Sequence, residues 1–174
     1  MGRELRRVPG DWQHPRDGRG RLLPLLGHAF ASRCAEWEDG IALWMKGKRN
    51  GYVDGKSQVV EHDEPCTEEA FSDWDGERPD ADDYMPDWPE AERTHFQWYE
   101  NVSEGTPLSP PMPSAEALSE WLASNPGRSV PELTASEWAR VIEQGFAMSM
   151  VMSPGIGIVD GATFAARATR PTDA

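Results

Sequence analysis

DWPEAERTHFQWYENV, residues 87–102, reads as a helix. Asp87 has the oxygen of an N-cap, and Pro89 falls in the first turn, where a missing N–H costs nothing. Phe96, Tyr99 and Val102 then recur at three-residue steps on one face, with Trp98 off to the side. Taken this way, the middle of the chain is helical, and the segments on either side are judged against that.

Upstream, residues 29–46 carry Phe30, Cys34, Trp37, Ile41, Trp44 and Met45 at steps of three and four, one apolar stripe weakened slightly by Gly40. Residues 47–60 are turn-like, with Asn50-Gly51 and Asp54-Gly55 flanking Tyr52 and Val53, a pattern that suits a small hairpin. Thr67 opens a short acidic helix with Phe71 and Trp74, closed at Gly76. Downstream, the proline-rich run 103–113 excludes helix. Ser114 caps a helix burying Leu118, Trp121 and Leu122, stopped by Asn125-Pro126-Gly127. Thr134 and Glu137 make a capping box for a helix with Trp138, Val141 and Ile142, ended at Gly145. Met148, Met150 and Met152, then Ile156 and Ile158, alternate about Pro154-Gly155 as a weak hairpin. The expected fold is mainly α: an irregular helical single domain over 1–174 with long proline-rich loops and at most a small hairpin. Residues 1–27, broken by Pro9, Pro15 and Pro24, form an irregular basic arm in this reading. Residues 28–166 are the folded core, and 167–174 a frayed tail.

Composition narrows function further. The 174 residues suit one domain, and eight Trp supply a core that a mean hydropathy of -0.66 would otherwise leave thin. Formal charge is -13, with a pI near 4.7. Such a chain repels phosphate backbones and anionic membranes and is drawn to basic protein surfaces. The charge is concentrated: residues 54–104 hold seventeen acids against Lys56, Arg78 and Arg93, whereas six of the first 22 residues are arginine. No apolar run suits a signal peptide or a bilayer span, so the cytoplasm is the expected location.

Motifs for chemistry are sparse. The chain has no G-x-S-x-G elbow, no P-loop and no dinucleotide fingerprint, so it is read as a binding protein and not as an enzyme. His28, Cys34, His62 and Cys66 are the one set that tetrahedral zinc would accept. Their spacing lacks a close Cys pair, and Pro65 opposes a shared helix, so zinc stays a minor alternative and no cofactor is expected. The acidic stretches, including Glu61, Asp63 and Glu64 beside His62, lack the alternation and central glycine of a calcium loop.

The aromatics inside the acidic segment are more informative. Asp73, Trp74, Asp75, Asp80, Asp82, Asp83, Asp87 and Trp88 form the candidate partner-binding set. Carboxylates at a rim and indoles at a centre suit the docking of lysines and arginines.

Further runs carry a resemblance. They are Tyr84-Met85-Pro86-Asp87-Trp88-Pro89, Glu92-Arg93-Thr94-His95, Tyr99-Glu100 and SEGTPLSP at 103–110. Arg6-Arg7-Val8-Pro9, Asp11-Trp12, His14-Pro15 and Leu23-Pro24-Leu25 join them. Over residues 3–122 the chain resembles a family of tailed-phage and prophage accessory proteins; Met148 to Met152 departs from the pattern. The resemblance implies a phage-encoded protein and carries no reaction, fold or catalytic residue. With the charge pattern, it makes an inhibitor or modulator of a host protein the leading expectation. A nucleic-acid-binding defence complex, met in the manner of anti-CRISPR proteins, is one such target, and a virion or assembly component is the alternative.

Overall fold

The computed structural model describes residues 2–101, 105–127, 129–153 and 157–167. In chain order the elements are β1 (Gly2–Val8), α1 (Phe30–Trp44), β2 (Lys48–Val53), β3 (Lys56–Glu61), α2 (Glu68–Asp75), a 3-10 turn (Ala81–Asp83), β4 (His95–Glu100), β5 (Thr106–Pro107), α3 (Ala115–Ser124), α4 (Ala135–Gln144), β6 (Phe146–Met148), β7 (Met150–Ser153), β8 (Gly157–Asp160) and α5 (Gly161–Arg167). Eight strands beside five helices, among the described residues, make the fold mixed α/β and overturn the mainly α expectation. No helix among them is long and apolar enough to cross a membrane. Of the expected frayed tail, 167–174, Arg167 ends α5, and the remainder, like the Pro154-Gly155 turn, lies outside the described residues. Two compact units divide the chain, one of residues 1–26 and 86–174, the other of residues 27–85.

The first unit is built on an antiparallel sheet in the order β5-β4-β1-β6. Residues 87–101 are thus corrected from helix to a loop followed by β4, and Val102 lies outside the described residues. Register explains the error. Leu5 lies opposite Trp98 and Arg7 opposite Phe96, whereas Arg6 faces Gln97 and Glu4 faces Tyr99. Leu5, Phe96 and Trp98 join a core with Leu118 and Leu122 of α3 and Trp138, Val141 and Ile142 of α4. Gln97 and Tyr99, on the opposite face, are buried as well. A strand covered on both sides shows no apolar–polar alternation. Phe96 and Tyr99, three apart, imitate a helical stripe while pointing to opposite faces of the sheet.

The irregular basic arm is corrected too: residues 2–8 are an interior strand of this sheet. Arg3 and Arg6 are each only 5% exposed, so their charges are matched internally. Arg3 Nη1 lies 2.8 Å from Asp160 Oδ2, an ion pair without the alignment of a hydrogen bond. Arg6 donates to Glu4 at 2.6 Å and to the Leu25 carbonyl at 2.8 Å. Arg7 reaches Glu90 of the acidic segment.

The second unit packs α1, α2 and the β2–β3 hairpin around Trp37, Trp44 and Phe71, flanked by Ile41 and Ala70. The hairpin turns on Asp54 and Gly55, both left-handed at φ 53° and 73°, the conformation a two-residue turn demands. Thr67 caps α2 through the Ala70 amide. Each buried indole removes roughly 200 Å² from water. At about 25 cal/mol per Å² that is on the order of 5 kcal/mol per indole before entropy. Gly40, a weak helix former, has a packing reason: a Cβ there would sit 2.8 Å from the Phe71 ring.

Candidate functional site

Within the second unit a groove of about 730 Å³ opens between the helices and the hairpin. Trp37, Phe71 and Trp74 line it, and Trp74 is the outer member of a stacked ladder. Trp74, on α2, stacks on Trp44 with centroids 5.4 Å apart at 27°, and Trp44 stacks on His62 at 3.9 Å and 23°. Two indole N–H groups anchor the ladder. Trp44 Nε1 donates to the Pro65 carbonyl at 2.9 Å, and Trp37 Nε1 to that of Gly76 at 3.1 Å. Trp44 and Trp37 are buried, whereas Trp74, at the outer end, is 44% exposed.

The walls are charged. Glu36 and Asp39 come from α1, Asp75 from α2, and Tyr52, itself 81% exposed, from β2. Arg33 pairs with Glu36. Asp39 and Asp75 enter no ion pair among the described residues. Arg49 places its guanidinium carbon 5.3 Å from the Trp74 ring centre, within reach of a cation–π contact. The unit as a whole holds fifteen acids against six bases, a net of -9 out of the chain's -13. A concave aromatic surface in so negative a body attracts cationic side chains from a distance and holds them by stacking on contact.

Of the residues singled out in the sequence, Trp74 and Asp75 line this groove. Asp73 shares α2 but is not among the lining residues. Asp80, Asp82 and Asp83 are exposed at the 3-10 turn, where Asp80 caps the Asp82 amide at 3.0 Å. Asp87 and Trp88 belong to the first unit. There Asp87 pairs with Arg93 at 2.8 Å, and Trp88 packs edge-on against Trp12 at 4.7 Å. Six of the eight thus fall in the second unit and two in the first. Sequence reading missed Glu36, Asp39, Arg49 and Tyr52. The i, i+3 pairing of Glu36 with Asp39 beside Trp37, and the Asn50-Gly51-Tyr52 turn pattern, were the available signals.

The zinc set does not assemble: no three His, Cys, Asp or Glu side chains among the described residues form a ligand cluster. His62 is engaged in the ladder, with Nε2 3.2 Å from the Trp44 carbonyl. Cys34 is half-buried on α1, Cys66 is exposed, and His28 precedes α1.

A second cavity, of about 710 Å³, lies in the first unit between Trp12, His14, Gln97, Ser109 and Trp121. Behind it the Tyr99 hydroxyl accepts from Trp12 Nε1 at 3.1 Å, donates to Gln97 Oε1 at 2.9 Å and lies 3.2 Å from His14 Nδ1. Gln97 donates on to the Ser109 carbonyl at 2.7 Å, and the Arg6 guanidinium lies 4.3 Å over the Tyr99 ring. His14 Nε2 is 2.6 Å from the Leu23 carbonyl, which fixes the proton on that nitrogen and leaves Nδ1 as acceptor. Burial lowers the His14 pKa and pushes the Tyr99 phenol up to about 12, so both are neutral near pH 7. The Ser109 hydroxyl accepts from the Trp98 amide at 3.0 Å and donates to the Pro110 carbonyl at 3.0 Å. The one Tyr99 hydroxyl proton goes to Gln97, so the His14 Nδ1 lone pair lies beside the phenol oxygen without receiving it, and the network ties the 9–26 loop to the sheet.

In comparisons with known proteins the chain matches no family model, no curated sequence and no solved structure.

Proposed function

We propose that this chain is a phage-encoded, non-catalytic binding protein that acts in the host cytoplasm by docking basic side chains of a host protein into the groove of its second unit. The supporting observation is the groove itself. Asp39 and Asp75, without an ion pair among the described residues, line it together with a half-exposed Trp74, in a unit of charge -9. Carboxylates set around an indole stand where phosphates would meet a lysine- or arginine-rich surface. A nucleic-acid-binding defence complex is one class of target with such a surface. Inhibition or modulation follows where the occupied surface is one the host protein needs.

Trp74→Ala is expected to weaken binding to the captured basic partner at least tenfold, as for an aromatic anchor at an interface centre. Asp39→Asn with Asp75→Asn, which leaves the aromatic core untouched, is expected to remove most of the salt dependence of wild-type affinity between 0.05 and 0.5 M. Calorimetry at the two salt concentrations reads both. Binding insensitive to all three substitutions would overturn the reading.

A second reading, a virion or assembly component, is favoured by one observation. Met148, Met150, Met152 and Ile158 are 54%, 62%, 77% and 62% exposed, and Met152 faces Ile158 across the β7–β8 hairpin. Sedimentation showing self-association that Met152→Asp abolishes would select it over the first.

A further inference from the structure

We infer that the groove is an arginine-recognition site and that Arg49 is the chain's own place-holder in it. This rests on the reading of the groove as the binding site. The surrounding acids by themselves would attract any cation. What points to a guanidinium is the geometry over Trp74. Arg49, on β2, places its guanidinium carbon 5.3 Å from the centre of an indole that is also stacked on Trp44. No carboxylate pairs with it among the described residues, so Arg49 is held there by the ring and by the general field of the unit, without an ion pair. A planar, weakly hydrated guanidinium suits such a face better than a compact ammonium, which keeps its water. An incoming arginine therefore finds on Trp74 the contact Arg49 already makes. It also finds in Asp39 and Asp75 the ion-pair partners that Arg49 lacks. That difference favours exchange: the guest gains stacking and pairing, and the host residue gives up stacking alone. Arg49 swings into solvent, and Tyr52 beside it is free to close over the guest.

The experiment uses the full chain and two fluorescently labelled probes, hexa-arginine and hexa-lysine, at 0.15 M salt. Four proteins are compared: wild type, Arg49→Ala, Lys46→Ala and Trp74→Ala. Lys46, exposed at the end of α1 and outside the groove lining, removes the same charge from the unit without uncovering the ring. Arg49→Ala is expected to bind hexa-arginine about fivefold tighter than wild type, the scale of one cation–π contact vacated. Lys46→Ala is expected to change it less than twofold. Wild type is expected to prefer hexa-arginine to hexa-lysine, with Trp74→Ala losing that preference. Equal effects of Arg49→Ala and Lys46→Ala, or weaker binding by Arg49→Ala, would overturn the place-holder role while leaving the groove as a cation site. No preference between the probes would overturn arginine recognition. Failure of every protein to bind either probe would sink both this inference and the groove reading beneath it. Near-ultraviolet circular dichroism of each variant checks that the aromatic ladder is intact.

Discussion

Replacing Gly105 with alanine is expected to unfold the first unit. Gly105 sits at φ +99°, outside the range that side-chain-bearing residues adopt readily, and a Cβ there would lie 1.7 Å from the Leu25 carbonyl oxygen. Both obstacles are backbone, so no rotamer change relieves them. The contact cannot simply open, because the Leu25 amide donates to the Gly105 carbonyl at 3.0 Å and the Leu25 carbonyl accepts from Arg6 at 2.8 Å. Moving this strand of loop away would strand a buried guanidinium. A cost of at least about 4 kcal/mol is expected, of the size that marks loss of a backbone feature. A domain holds only about 5–15 kcal/mol in all, so most of the margin goes. Urea titration followed by Trp98 and Trp138 fluorescence should show a midpoint near zero denaturant or no native baseline. A midpoint within 0.5 M of wild type would contradict the close approach.

Tyr99→Phe is expected to destabilise the same unit by about 3 kcal/mol, although it removes a single oxygen. The hydroxyl serves Trp12 and Gln97 directly and lies beside His14 Nδ1, and Tyr99 itself is fully buried. The network also sets a pH dependence. In the unfolded chain His14 titrates near its ordinary value of 6.5; in the fold, burial first and the Arg6 and Arg16 charges after it lower that value. The unfolded state thus takes up a proton that the native state refuses. The His14 contribution is complete above pH 6.5 and is lost as the pH falls below that toward the lowered folded value. Thermal midpoints are expected to drop between pH 7 and pH 5, with a shallower drop in His14→Gln. Parallel pH profiles for wild type and variant would remove His14 as the cause.

How far the sequence reaches can be judged element by element. α2, α3 and α4 were legible because each begins with a side-chain oxygen on the backbone of its own first turn: Thr67, Ser114 and Thr134. These are local interactions, complete within four residues. The β2–β3 hairpin was legible for the same reason, through Asp54-Gly55. β1 and β4 were not. They pair with each other across 87 to 97 residues of chain, and burial on both faces removes the period-two pattern that marks a half-buried strand. Six arginines in the first 22 residues suggested a solvated arm, since a lone buried charge is too costly. Asp160, Glu4 and the Leu25 carbonyl, which make Arg3 and Arg6 affordable inside, are visible only once the fold brings them together. The groove was half legible: Trp74 and Asp75 stood out as an aromatic among acids, whereas Asp39, Arg49 and Tyr52 join them from two other elements.

The position of β1 has a consequence for how the molecule comes off the ribosome. Its two neighbours in the sheet are β4 and β6, so its pairing with β4 waits until residue 100 has been made, and the pairing of Gly2 with Met148 until residue 148 has. β1 is therefore made long before either neighbour, and Arg3 waits longer still for Asp160. Residues 27–85, contiguous and rich in near-neighbour contacts, are free to fold while the rest is still being translated.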